Sequence, residues 1–174
     1  CMPESLVVVG AGPIGCELAQ AFALLDCEVT LVANNGLLVR EDADAVALIE
    51  TALRMDGVRL LTQTDAVRCE CEAGEQHLIV RHKDGAENSL PFDALLCAVG
   101  RTAHTEGFGL ENLGIPVSKK GHIETDAWLQ TLYPNIYACG EVAGPYQLTH
   151  VAGHQGWYAS VHALLGSVNR FTVA

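Results

Sequence analysis

The sequence predicts an α/β fold: a parallel sheet with helices on its faces, followed by a three-stranded antiparallel meander. Three observations carry this. Between residues 5 and 61, β-branched apolar runs alternate with segments of helical period, the pattern of a right-handed parallel arrangement. Across residues 67–92 the period drops to two, with short strands separated by turn pairs such as Asp84-Gly85. A continuous apolar run at residues 94–99 then suits a further buried parallel strand.

Taken in order, residues 5–9 form a first strand buried on both faces. A turn and a helix follow, with Pro13 in the first helical turn and Ile14, Leu18, Phe22 and Leu25 recurring on one face down to Asp26. Residues 28–32 read as the second strand. Asp42 or Asp44 can cap a second helix through Val46, Ile49 and Leu53, which Gly57 ends. Residues 58–61 make a third strand, and the meander runs through residues 67–71, 78–80 and 90–92. From residue 101 to 133 the text is loop-like, rich in glycine. Residues 135–139 are expected to form another short strand and residues 149–165 a helix ending near Gly166.

The chain has 174 residues, 49% hydrophobic and 18% charged, enough for a packed core. Its formal charge of −11 argues against general affinity for nucleic acid or an anionic membrane. Seven cysteines show no CxxC pair and no disulfide-framework spacing, which reads as reduced thiols and a cytoplasmic chain. No run is apolar enough to suggest a membrane segment.

Chemistry enters at Gly10-Ala11-Gly12-Pro13-Ile14-Gly15, a G-x-G-x-x-G set between a strand and a helix, with a second strand about 20 residues on. The first glycine permits a tight turn, the second lets a pyrophosphate approach the backbone, and the third allows helix and strand to pack closely. A helix N-terminus there offers free N–H groups to phosphate. At the end of the second strand, where an acid would bond the ribose of NAD, the residues are Ala33 and Asn34. Without that acid the repulsion against a 2′-phosphate disappears, and Arg40 is near enough in sequence to reach one, so NADPH is slightly favoured over NADH. An ordinary surface arginine is the competing reading of Arg40.

Residues 10–22 with residues 29–32 and 37–42, then Ala98-Val99-Gly100-Arg101, residues 135–141 and residues 147–152, occur in an order that resembles the flavin-dependent pyridine nucleotide-disulfide oxidoreductases, mercuric reductase and dihydrolipoamide dehydrogenase among them. The resemblance implies a Rossmann-like NAD(P)-binding domain over residues 1–102, a ββα three-layer sandwich, and a partial FAD-domain segment over residues 103–174. It also implies a transfer of hydride from NAD(P)H to FAD, and thence to a disulfide or a metal-ion acceptor. In that family's pattern Gly10, Gly12, Pro13, Ile14 and Gly15 cradle the nucleotide and Ala33 and Asn34 flank the adenosine ribose. Gly100 and Arg101 close over the cofactors, and Glu17 matches the acid near the nicotinamide. Gly140 and Glu141 occupy the Gly-Asp pair that holds the FAD ribityl chain, with glutamate in place of aspartate. Leu148, Thr149 and His150 match the helix start that faces the flavin, where a helix dipole stabilises charge on the reduced ring. Pro13 stands where some relatives carry an aromatic gate. The FAD motif with its redox cysteines, and the interface domain that makes the family's homodimer, are expected in further parts of the same polypeptide, and this chain alone is expected to be catalytically silent.

Other residues have plainer readings. Cys69 and Cys71 fall on one face of a strand, as alternation alone explains. His150 and His154 have the spacing of a two-histidine metal face but no third ligand, so no metal site is assigned. A binding module that senses nucleotide without chemistry is the alternative function, and the flavin-facing pattern of residues 135–152 weighs against it.

Overall fold

The computed structural model describes residues 2–72, 74–146 and 148–166. The chain divides into two compact units, one running to Gly100 and the other starting at Arg101.

In the first unit β1 (Ser5–Val9) leads into α1 (Pro13–Ala23), β2 (Glu28–Val32), α2 (Ala43–Met55) and β3 (Arg59–Leu61). The meander is β4 (Thr64–Glu72), β5 (Glu75–His82) and β6 (Glu87–Phe92), and β7 (Ala94–Cys97) returns to the first sheet. That sheet is parallel with order β3-β2-β1-β7, and the antiparallel sheet has order β4-β5-β6. Alternation along β1 divides the core in two. Leu6 and Val8 pack with Cys16, Ala19 and Leu53 from the helices, whereas Val7 packs with Leu78, Val80, Leu90 and Phe92 from the meander. Helices, parallel sheet and antiparallel sheet thus form three layers.

Three expectations need correction. The buried face of α1 is Gly15, Cys16 and Ala19, while Ile14 and Leu18 remain 45% and 36% exposed. Close approach of the first helical turns to the sheet admits only small side chains, so Ile14 and Leu18 turn outward, Leu25 is exposed beyond the helix end, and only Phe22 of the expected face packs, partly buried, against the core. The helix also stops at Ala23, because Cys27 N–H and Leu25 N–H both return to the Phe22 carbonyl and Asp26 takes a positive φ of 63°. The run at residues 94–99 gives a parallel strand, but at the sheet's edge, with Cys97 exposed rather than buried.

Asp42 caps α2, its Oδ1 accepting the Asp44 N–H at 2.9 Å. At the other end of the sheet, Asp93 ties the approach to β7 to the start of β1. Its Oδ2 accepts the Ser5 N–H at 2.8 Å and the Ser5 hydroxyl at 3.0 Å. These bonds to Ser5, backbone first, hold the Asp93 carboxyl below its ordinary value. A depressed carboxylate stabilises the fold above the unfolded-state value of about 3.9, and the gain disappears as pH falls through the folded value. Asp93→Asn should therefore lower Tm at about pH 6, with the deficit closing below about pH 4. Thermal melts of both proteins across that range check this; a deficit constant with pH would refute it.

The second unit has little regular structure before its last helix. Leu110, Ile115, Ile123 and Ala138 form its core, with a short α3 (Leu110–Leu113) and a 3₁₀ turn at Gly140–Val142. The strand expected at residues 135–139 is reduced to an isolated bridge between Gln130 and Tyr137. The facing segment turns back on Asp126, whose Oδ1 accepts N–H groups from Trp128 and Gln130, and Leu129 takes a φ of 65°. No ladder can extend past that turn. Helix α4 (Thr149–Leu165) matches the expected helix and buries Gln155, Ala159 and His162.

Candidate functional site

Where β1 and β7 lie side by side the strand order of the parallel sheet reverses, and a cleft opens at the carboxyl ends of the strands. It measures about 620 Å³ and is floored by residues 9–13, walled by residues 32–36 and 38–41, and closed by residues 64–66 and 98–100. Of the residues singled out from sequence, Gly10, Gly12, Pro13, Ala33, Asn34, Arg40 and Gly100 line it. Ile14, Gly15 and Glu17 stand outside it on α1.

The three glycines do different work. Gly10 has a φ of +106°, and a Cβ there would lie 2.4 Å from the Ala98 carbonyl oxygen. A Cβ on Gly15 would meet the Gly10 carbonyl oxygen at 1.9 Å. Both positions are therefore filled by backbone. Gly12 differs: its backbone is extended, with φ −75° and ψ 179°, and a Cβ would have nothing within 4 Å. Gly12 is also the N-cap of α1 and supplies no side-chain cap, and the first intrahelical bond is Cys16 N–H to the Gly12 carbonyl. The open space beside Gly12 lies against N–H groups that precede the helical ladder, the cradle that an anionic phosphate needs.

Hydrogen bonds fix the walls. Gly10 N–H donates to the Val32 carbonyl at 2.8 Å, Ala98 N–H to Val9 at 2.7 Å, and Leu38 N–H to Ala11 at 2.9 Å. Thr64 N–H reaches the Ala33 carbonyl at 3.0 Å. Beneath the helix start, the Cys16 thiol lies 3.6 Å from the Ala11 carbonyl oxygen. Burial, and then the nearby Glu17 carboxylate, push that thiol above its ordinary value, so it stays protonated. The wall carries one cation, Arg40, which is exposed and forms no hydrogen bond or ion pair among the described residues. Two carboxylates, Glu41 and Asp65, share the wall with it.

Sequence reasoning missed the contribution of residues 64–66. They lie far along the chain from the glycine turn, and only the two-residue link between β3 and β4 hints that the meander starts beside the carboxyl end of β2.

The remaining predicted residues belong to the second unit. Arg101 and Glu141 are brought together as an ion pair, Nη1 to Oε1 at 2.6 Å. Gly140 has a φ of +80°, and its N–H donates to the fully buried Gln155 Oε1 at 2.7 Å. The carboxylate of Glu141 retains capacity for further donors beyond Arg101. Leu148, Thr149 and His150 are exposed at the start of α4, which has no side-chain cap. His154, one turn on, packs edge-on against Tyr158 with ring centroids 4.8 Å apart. No helix among the described residues is long and apolar enough to cross a membrane.

A glycine turn that leaves one face open beside a helix N-terminus, where the strand order of a parallel sheet reverses, is an arrangement able to take an anionic group. The family model for pyridine nucleotide-disulphide oxidoreductases matches residues 1–156. The chain belongs to that family. It is 37% identical over 163 residues to the dihydrolipoyl dehydrogenase of Bacillus subtilis (strain 168), covering 93% of this chain and 35% of that protein. It is 36% identical over 166 residues to the mercuric reductase of Acidithiobacillus ferrooxidans, covering 95% of this chain and 29% of the relative. Among solved structures, the HOCl-induced flavoprotein disulfide reductase RclA from Escherichia coli superposes with a TM-score of 0.82 at 33% identity, covering 99% of this chain and 38% of that one. The chain thus spans about a third of the length of the curated relatives it matches.

Proposed function

We propose that residues 1–102, the first unit and two residues past its end, are the NAD(P)H-docking part of a flavin-dependent oxidoreductase, and that residues 103–174 are a segment of its FAD domain. The observation that carries this is the unequal packing of the glycines: backbone fills the space beside Gly10 and Gly15, and nothing fills the space beside Gly12. Turn glycines such as Gly57 and Gly85 are equally open but have positive φ, whereas Gly12 has an ordinary φ of −75°, so neither packing nor conformation calls for glycine there and the approach of a pyrophosphate does.

In this reading Gly10, Gly12 and Pro13 shape the cradle, and the N–H groups of Ile14 and Gly15 at the helix start bond the phosphates. Ala33 and Asn34 flank the adenosine ribose, Gly100 closes the site, and Glu17 stands near the nicotinamide. Bound NAD(P)H supplies a hydride, which FAD in the whole protein accepts and passes on to a disulfide or metal-ion acceptor. Glu141, paired with Arg101, offers its remaining acceptor capacity to the ribityl chain. The N–H groups of residues 148–150 at the start of α4 face the flavin, where the helix dipole favours the reduced ring's charge. The chain by itself turns over no acceptor, the rest of the polypeptide completes the flavin site, and the whole protein works as a homodimer in the cytoplasm.

NADPH is the favoured nucleotide. No carboxylate ends β2, and Arg40 is the cation facing the position that a 2′-phosphate would take. Glu41 and Asp65 offset part of its charge, so the preference is modest. Arg40→Ala should weaken NADPH binding about tenfold and leave NADH within about twofold, the loss of one charge-assisted contact. Parallel calorimetric titrations at fixed salt test this. Equal losses for both nucleotides would make Arg40 a general electrostatic contributor and remove the case for NADPH.

A further inference from the structure

The wall of the cleft opposite the glycine turn is braced by a chain of side-chain hydrogen bonds that reaches the protein surface. Thr64, 1% exposed, places its hydroxyl 2.9 Å from the Thr62 carbonyl oxygen and 3.0 Å from His82 Nδ1. A carbonyl only accepts, so the single hydroxyl proton goes to Thr62 and His82 must donate Nδ1–H to the Thr64 oxygen. In the neutral ring Nε2 is then an acceptor, and Asn88 Nδ2 lies 3.0 Å from it. The chain therefore has one consistent direction: Asn88 donates to His82, His82 to Thr64, and Thr64 to Thr62.

At its inner end this chain meets the cleft. Thr64 N–H donates to the Ala33 carbonyl at 3.0 Å, and Gln63 N–H, from a residue with φ 54°, donates to the Asn35 carbonyl at 3.1 Å. Those two bonds hold residues 33–35 in place. At its outer end the chain starts from Asn88 on β6, just past the β5–β6 turn, which is closed by His82 N–H to the Ala86 carbonyl and Gly85 N–H to the His82 carbonyl. His82 opposes Thr64 in the ladder, so the ring needs no detour to reach it.

We propose that His82 is a positioning residue for the adenosine side of the cleft, acting through Thr64 on residues 33–35 without touching nucleotide. The proposal rests on the reading of the cleft as a nucleotide site. Without the Nδ1 donor the Thr64 oxygen loses its second partner, the start of β4 is released, and the wall against the adenosine ribose loosens. The glycine cradle, held by separate bonds to Val32 and Val9, is unaffected.

The test uses the 174-residue chain and 2′,5′-ADP, which carries the adenosine half of NADPH without the nicotinamide, titrated at a temperature where circular dichroism shows every variant folded. His82→Leu should bind 2′,5′-ADP about tenfold more weakly than wild type. His82→Asn, whose Nδ2 overlays the lost Nδ1 donor, should return affinity to within about twofold, a rescue that bulk packing would not give. Inorganic pyrophosphate, as a probe of the cradle alone, should bind all three proteins equally. Asn88→Ala, at an exposed position, removes only the outer bond and should cost about twofold to threefold; it supplies the test if His82→Leu does not fold. Wild-type affinity in the folded His82→Leu or Asn88→Ala protein, no rescue by His82→Asn, or a parallel loss of pyrophosphate binding overturns the positioning role. Absence of binding of 2′,5′-ADP, NADPH and NADH alike in the wild type would overturn the nucleotide reading itself.

Discussion

Gly12→Asp should abolish binding of NADPH and NADH while leaving the fold as stable as before, or slightly more so. The backbone at Gly12 is extended and any residue can adopt it. The new Cβ would enter open space. Gly12 is the uncapped N-cap of α1, and aspartate is among the residues best suited to accept the free N–H groups there, a gain of a few tenths of a kcal/mol over glycine. The same carboxylate would occupy the phosphate cradle and repel the pyrophosphate at contact distance. A loss of roughly a hundredfold or more in affinity is expected, about 2.7 kcal/mol. Tm and nucleotide affinity, measured on the same preparation, separate the two effects. Wild-type affinity in Gly12→Asp would mean that no phosphate passes this point.

The opposite behaviour is expected at Gly15, where even alanine should damage the fold. A Cβ at 1.9 Å from the Gly10 carbonyl oxygen and 3.0 Å from its carbon cannot be relieved by a side-chain rotation, since both atoms are backbone. Gly10 cannot retreat, because its N–H is bonded to Val32 and its own Cα faces the Ala98 carbonyl. Helix α1 would have to lift from β1, exposing Cys16 and Ala19 and loosening contacts to Val8. Overpacking of this kind costs about 1–3 kcal/mol and more where backbone must move, so Gly15→Ala should destabilise the first unit by about 3 kcal/mol. Urea denaturation followed by far-UV circular dichroism measures it. A midpoint unchanged from wild type would show that helix and strand are less closely packed than the geometry requires.

This contrast also shows what the sequence made legible. The G-x-G-x-x-G spacing pointed to the turn and to distinct tasks for its glycines, because the tasks follow from backbone sterics that residue type alone determines. Strand and helix order through β3, and the meander, followed from a change of hydrophobic period. The buried face of α1 did not follow from periodicity, which favoured Ile14 and Leu18. The third glycine held the signal: a helix close enough to need Gly15 must also present Cys16 and Ala19, not the larger residues. Thr64 and the braces behind it were illegible because they depend on a register between strands, Thr64 opposite His82, that no local pattern encodes. In the second unit only α4 was readable. Residues 135–139 have strand composition, but a strand needs a partner edge, and the Asp126 turn leaves room for one bridge only.

The most direct test of the nucleotide reading is an amide chemical-shift map of the isotope-labelled 174-residue chain titrated with NADPH. Saturable shifts are expected at Gly10, Gly12, Ile14 and Gly15, with a second group at residues 33–40 and 64–66 and a 1:1 endpoint. No shift at saturating NADPH, or shifts that leave residues 10–15 untouched, would contradict a pyrophosphate site at the glycine turn.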